Sequence, residues 1–356
     1  MSEWRAVYIE RCTYGSGASI RKPVAARCQG AGCLAYCALK VEEKWYSGSI
    51  DRKRVGCCVI TLPEWMNKFS TDEACQDYLV SQRWPDGFVC PRCQGQKSWK
   101  IQRSDRTAPL GECTAYHYQA SVAVGTIFHR TKVALSPWFL AIFLMADDKR
   151  GISALTLSRK LGLSYPTAWL MHHKIQQAMA ERNGHYQLGG LVELDDAYFG
   201  GKSHGPGKRG RGTDQDPVVV EVSLTAQGHP QYVFLETVLD LGEAVKAVLR
   251  RRVEDLGVWK SDEAAVYASA ARDHEADHLV TLSRDPEAHE VFHWVNIVIS
   301  NAKIFIDGTY YGRGRARGQL YLEEFAYRFN RRFFGTRIAE RLLAACVASG
   351  SHPYAA

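Results

Sequence analysis

The chain has no apolar run long enough to cross a membrane. Its best, Pro137 to Ala146, is ten residues, about half of the ~20 that a spanning helix needs. No hydrophobic leader is expected at its start. Glu3 and Arg5 stand among the first residues with no apolar block behind them, which is not the pattern of a signal peptide. Nor is it short of core-forming residues. Hydrophobic residues make up 46% and charged residues 23% of 356, which excludes wholesale disorder. Lys and Arg number 45 against 38 Asp and Glu, a formal net charge of +7. That length suggests two or three domains, one with a large core. The expectation is a cytoplasmic protein with no membrane partner. There its 11 cysteines stay reduced and serve as metal ligands more readily than as disulfides.

Six cysteines, Cys12, Cys28, Cys33, Cys37, Cys57 and Cys58, fall in the first 58 residues. That stretch is rich in Gly and Ser and has no long periodic segment. It reads as an irregular extension over residues 1–60, dispensable for folding, with a more protein-like chain opening near Met66. Ser70 and Glu73 have the spacing of a capping box, which predicts a helix holding Cys75, Leu79 and Val80 within 61–85.

A zinc-ribbon-like module is expected over 86–124. Cys90-Pro-Arg-Cys93 places two thiolates on one tight turn, where both can reach a tetrahedral ion. Cys113 follows with 19 residues between, as a second half should. A fourth thiolate would fall at 116, but Tyr116 is there. His117 is the alternative fourth ligand, giving Cys90, Cys93, Cys113 and His117 around structural Zn2+. A ribbon that no longer holds metal is the other reading.

Residues 125–186 read as helical. Pro137 to Met145 is a buried helix by its unbroken apolarity. Gly151 to Ile175 has the form of a helix-turn-helix. Its first helix ends at Gly162, Ser164 can cap the second, and Pro166 falls in the first turn, where proline is tolerated. Ala168, Met171, Ile175 and Met179 make an inward stripe. Tyr165, Thr167, His172 and Lys174 are left for the outer face and for DNA, although an ordinary helical hairpin fits as well.

The second half changes character. Gly190 to Phe199 is a strand carrying carboxylates. A glycine-rich basic loop with Lys208, Arg209 and Arg211 follows, suited to phosphate contact. Pro217 to Leu224 and Gln231 to Val238 are strands joined by a turn at Gly228. Leu241 to Leu256 is a helix, and Val258 to Ser261 a short strand ending at Asp262. Helices over Glu263 to Ala271 and Phe292 to Phe305 complete the order. This is the order of an α/β, ribonuclease-H-like domain, placed at 187–345 with a tail at 346–356.

In such a domain the ends of the first and fourth strands lie side by side, so Asp195 and Asp262 would face each other across 66 intervening residues. Asp196 is chemically equivalent to Asp195. Paired carboxylates suit Mg2+, or Mn2+, which prefers oxygen ligands, and metals so held can support in-line phosphoryl displacement. Asn296 would complete the site from a helix, with His293 as second candidate. Lys303, seven residues after Asn296, projects from nearly the same face. The segment from Arg313 through Arg331 and Arg332 to Arg341 interleaves basic and aromatic residues, which suits DNA or a helix core.

These residues carry a family resemblance. The chain from about Leu62 to Tyr354 resembles the bacterial insertion-sequence transposases that join an N-terminal zinc ribbon to a DDE-superfamily catalytic domain. The matching motifs are Arg83-Trp-Pro-Asp-Gly-Phe-Val-Cys-Pro-Arg-Cys, His117-Tyr-Gln-Ala-Ser, Gly125-Thr-Ile-Phe-His-Arg-Thr-Lys, Gly151-Ile-Ser-Ala-Leu, Val192-Glu-Leu-Asp-Asp-Ala-Tyr-Phe-Gly-Gly, Trp294-Val-Asn, Gly308-Thr-Tyr and Glu324-Phe-Ala-Tyr-Arg-Phe-Asn-Arg-Arg-Phe. The resemblance implies metal-dependent cleavage at element ends and strand transfer into target DNA. It implies Asp195, Asp262 and Asn296 as the metal-holding set, with Lys303 near the scissile phosphate. A subset of the family is similar in having Asn at the third position and Lys seven on. The ribbon and the helix-turn-helix would read terminal inverted repeats, and joining two ends implies a homo-oligomer on DNA. Two other readings stand beside this one: a catalytically dead DNA-binding copy or repressor, and a ribonuclease-H-like nuclease without strand transfer.

Overall fold

Residues 60–101, 110–200, 215–252, 258–273, 277–281, 291–311 and 317–350 are described in the computed structural model. All of them fall in one unit, Cys58–Ala356. The expected extension and the basic loop with Lys208, Arg209 and Arg211 lie outside the described residues.

The first two helices, α1 (Leu62–Lys68) and α2 (Asp72–Arg83), have different caps from those expected. The capping box belongs to α1, where Thr61 and Glu64 serve each other's backbone. Helix α2 is capped by Thr71, not Ser70, through Ala74 N–H. The helix holds Cys75, Leu79 and Val80 as expected; the first two are buried and Val80 is exposed. Trp65 is only 1% exposed and its Nε1 donates to Phe139 O at 3.1 Å. A chain begun at Met66 would lose that anchor. A comparable truncation, Trp65→Ala, should cost about 3–5 kcal/mol, readable by denaturant unfolding.

The ribbon follows as a three-stranded antiparallel sheet in the order β1 (Ser98–Ile101), β2 (Leu110–Cys113), β3 (Gln119–Ala120). Three helices come next: α3 (Leu135–Asp147), α4 (Ala154–Leu161) and α5 (Tyr165–Asn183). Helix α3 buries residues all round, as its continuous apolarity requires. Its start has no local cap; Asp72 of α2 accepts from Leu135 N and Ser136 N at 3.0 and 3.1 Å. Helix α4 starts on Ser153, which accepts from Thr156 N, and stops at Gly162 in the left-handed region, φ +65°, where glycine is strain-free. These helices share one core with α1, α2 and the C-terminal α10 (Ile338–Ala348).

The second half is a five-stranded sheet. Its strands are β4 (Leu191–Phe199), β5 (Asp216–Leu224), β6 (Pro230–Thr237), β7 (Val258–Ser261) and β8 (Asp277–Val280), ordered β6-β5-β4-β7-β8. The first three are antiparallel neighbours; β7 and β8 add in parallel. A hairpin at Gly228, φ +75°, joins β5 to β6. Helices α6 (Leu241–Arg252) and α7 (Ala265–Ala271) share a core with one face of this sheet, and α8 (His293–Tyr310) and α9 (Gly318–Asn330) with the other. The chain thus has the mixed α/β, ribonuclease-H-like fold expected from its sequence, plus an edge strand, β8, that the sequence pattern did not announce.

Candidate active site

The parallel pairing of β4 with β7 sets the site. Leu191, Val192 and Glu193 lie beside Val258, Trp259 and Lys260. Continued two residues, that register sets Asp195 beside Asp262, the residue after β7. Strand alternation then separates Asp195 from Asp196. Ala197 and Phe199, two and four residues from Asp195, pack in the core under α8 and α9. Val192 and Leu194 pack in the opposite core with Tyr267 of α7. Asp196 takes that second side, accepting from Tyr267 OH at 3.3 Å. Of the two carboxylates the sequence left equivalent, Asp195 is therefore the one on the face of α8.

Charge is crowded there. Burial pushes the Asp195 carboxyl up to about 7, and the Asp196 and Asp262 charges add to the rise; the Asp196 N–H, 2.8 Å away, and Lys303 oppose it. Asp262 accepts from Ala264 N at 3.0 Å, which ties it to the start of α7. The donor chemistry of two carboxylates on neighbouring strands fits a divalent cation with oxygen ligands.

Asn296 and Lys303 are both exposed residues of α8. Asn296 Nδ2 donates to Phe292 O at 2.9 Å. Lys303 Nζ sits 5.6 Å from the ring centre of Phe199, the last residue of β4. His293, the alternative to Asn296, is the exposed first residue of α8, against Trp294. Sequence reasoning missed Glu193. It is 2% exposed, and its Oε2 accepts from Val295 N at 2.9 Å. Its signal was available: an acid two residues before Asp195, hence on the same strand face.

In the ribbon, the Sγ atoms of Cys90, Cys93 and Cys113 lie within 4.8 Å of one another, and Gly95 lies so close that a Cβ there would come 3.3 Å from Cys93 Sγ. The two turns are repeats of one another. Cys90 N donates to Gly95 O and Gln94 N to Cys90 O, both at 2.9 Å; Cys113 N donates to Tyr118 O at 3.0 Å and His117 N to Cys113 O at 2.8 Å. Gln94 and His117 both have positive φ, 60° and 50°. Tyr116 therefore occupies the place matching Cys93, and His117 the place matching Gln94. The expected His117 ligand is corrected: its side chain is 78% exposed and its Nδ1 lies 3.0 Å from Glu112 Oε1, apart from the thiols. The three cysteines fit a thiolate-loving ion such as zinc, three-quarters of a tetrahedral set.

The expected DNA-facing residues divide. Tyr165 is half-exposed, and Thr167 is partly so, with its hydroxyl 2.8 Å from that of Ser164. His172 does not face outward: it is 1% exposed, with Nε2 2.8 Å from Ile152 O. Lys174 is half-buried and donates to Ile127 O at 3.1 Å. The cause is that α5 is covered on both sides. One side joins the helical core, and the other meets α9, where Gln176 donates to Glu324 at 2.7 Å and Asn183 to Glu323 at 2.7 Å. Arg331 is 3% exposed and donates to Asn183 Oδ1, Tyr327 O and Tyr186 OH. Arg332 donates to the carbonyls of Phe329 and Pro230. Both arginines tie the C-terminal helices to the rest of the unit, so the expectation that they are free for DNA is corrected.

Comparison with known proteins agrees with this picture. Residues 187–330 match the ISXO2-like transposase domain, and residues 70–117 match the transposase zinc-ribbon domain. A protein from transposable element ISH50 of Halobacterium salinarum, itself uncharacterized, is 27% identical over 166 residues. That match covers 43% of this chain and 55% of the relative, so the chain spans about half the relative's length. The relative is archaeal, and a bacterial host is narrower than the match supports. Among solved structures, a simian T-cell lymphotropic virus intasome in complex with PP2A regulatory subunit B56 gamma aligns at TM-score 0.26 and 15% identity, over 53% of this chain and 65% of that one. A pre-cleavage Mos1 transpososome aligns at TM-score 0.25 and 11% identity, over 56% and 75%. TM-scores this low establish nothing by themselves. Among the described residues, no helix is long and apolar enough to cross a membrane. Strand order and both matched segments point the same way: residues 70–117 are similar to a transposase zinc ribbon, and residues 187–330 to an ISXO2-like transposase domain.

Proposed function

We propose that the chain is an active transposase that cuts DNA at the ends of its element and joins them to target DNA. The observation that carries this reading is the β4–β7 register, which brings Asp195 beside Asp262 under the helix that bears Asn296 and Lys303. Asp195, Asp262 and Asn296 would hold Mg2+ or Mn2+. When bound, such ions stabilise the attacking and leaving oxygens of a phosphoryl displacement. Lys303 would contact the DNA phosphate beside the cut. Asn296 brings an oxygen but no charge, so its share of metal affinity is smaller than a carboxylate's. Cys90, Cys93 and Cys113 would hold structural Zn2+. The exposed first turn of α5, with Tyr165 and Thr167, together with the basic loop holding Lys208, Arg209 and Arg211, would meet the terminal inverted repeats. Two ends joined in one complex require a homo-oligomer on DNA.

The test is cleavage and strand transfer on the element's own flanking DNA, with Mg2+ or Mn2+ and Asp195→Ala as control. Joined products that vanish in the variant support the proposal. Cutting without joining supports a nuclease. Binding with no cut strand supports a dead copy or repressor, and either result overturns the transposase.

A further inference from the structure

Helix α8 begins without a cap of its own. Its N-cap residue is Phe292, whose side chain makes no capping bond. The first amides of a helix have no partner inside it. Here they are met by Glu193, from the middle of β4. Its Oε2 accepts from Val295 N at 2.9 Å, and the Trp294 amide also favours the charged carboxylate. The side chain is 2% exposed, so the tie is shielded from water. It also joins two parts of one site, because Glu193 lies two residues before Asp195 and Val295 one residue before Asn296.

We propose that Glu193 is a positioning residue: its carboxylate pins the first turn of α8 to β4 and so sets where Asn296 stands relative to Asp195. This rests on the reading of Asp195 and Asn296 as metal-holding residues. The strut explains a difficulty of the site. Asp195 and Asn296 have 100 residues between them in sequence, and Asn296 is exposed on a helix surface. Nothing else in the first turn of α8 reaches β4 through a side-chain hydrogen bond to its backbone among the described residues. The fold supplies a built-in comparison. Asp72 caps α3 in the same non-local way, but on a helix that carries no site residue. A cap that only stabilises should behave like Asp72.

The experiment is Mn2+ binding to the full chain, followed by electron paramagnetic resonance, in Glu193→Gln, Glu193→Ala, Asn296→Ala and Asp72→Asn. Loss of a residue that orients a metal ligand weakens metal binding by about 10- to 100-fold. The expected result is about tenfold weaker Mn2+ binding in Glu193→Ala and a smaller loss in Glu193→Gln, which keeps one acceptor. Because Glu193 acts through Asn296, the Glu193→Ala and Asn296→Ala pair should bind no more weakly than Asn296→Ala alone. Asp72→Asn should bind Mn2+ like the parent while melting lower. Additive losses, an unchanged Mn2+ affinity in Glu193→Ala, or an equal loss in Asp72→Asn would each overturn the proposal. If Glu193→Ala does not fold, Glu193→Gln and its pair with Asn296→Ala carry the test. A parent chain that binds no Mn2+ refutes the metal site itself. Hydrogen exchange at the Trp294 and Val295 amides then decides Glu193 alone: faster in Glu193→Gln supports the strut, unchanged overturns it.

Discussion

The chain carries two candidate metal centres, built in opposite ways. The ribbon's donors come from two short turns, each of which folds through its own backbone hydrogen bonds. The acidic centre's donors come from β4, the end of β7 and α8, and meet only when the sheet forms. The local design does not need every ligand. The turn at Cys113 has the same hydrogen bonds and positive φ although Tyr116 stands where the repeat places Cys93. The non-local design has no such independence. Strand register sets its carboxylates side by side, and Asp195, pushed up chiefly by burial, is raised further by the Asp196 and Asp262 charges.

Five substitutions would break or sharpen that contrast. The largest effect belongs to Asp262→Ala. It should remove cleavage altogether while leaving binding to element ends intact, read by gel shift beside a cleavage assay. Equal loss of both would make Asp262 structural. The ribbon should respond more gradually. Cys90→Ser should lose zinc by elemental analysis, whereas Tyr116→Cys should complete the thiolate set and tighten zinc binding, measured against a chromophoric chelator. His117→Ala should change neither. If His117→Ala loses zinc, the ring leaves Glu112 to become the fourth ligand, and the turn repeat does not decide the ligand set.

The smallest effect is on stability. The folded value of Asp195 lies above its unfolded one, so its contribution to the metal-free fold is complete below the ordinary carboxylate range. It is lost as pH rises through about 7. Asp195→Asn stays neutral throughout. Without metal it should melt higher than the parent at about pH 8, and the gap should narrow toward about pH 5. Added Mg2+ should raise the melting point of the parent and not of the variant.

Much of this arrangement was legible in the sequence, for definable reasons. The strands β4 to β7 have runs of β-branched and aromatic residues bounded by turn signals, and α3, α4 and α5 have helical spacing, a glycine stop and a proline in the first turn. Strand β8 escaped because Asp277-His-Leu-Val is four residues on a sheet edge, mostly exposed, with no apolar alternation to announce it. His172, Arg331 and Arg332 were misread for another reason. Local periodicity shows one covered face of a helix, whereas tertiary partners cover the rest: Ile152 O meets His172, Asn183 and Tyr186 meet Arg331, and Pro230 O meets Arg332. The choice between Asp195 and Asp196 could not be made from composition, since adjacent strand residues differ only in the face they take. Glu193 was readable by the same alternation, but its partner on α8 was not.

The measurement that bears most directly on the acidic centre is metal-dependent strand transfer by Asp195→Asn and Asp196→Asn, side by side on the same element ends. The geometry predicts no joined product from Asp195→Asn. It predicts retained, if reduced, product from Asp196→Asn, whose carboxylate faces Tyr267 on the other side of the sheet. Joined product from Asp195→Asn with none from Asp196→Asn would contradict the account.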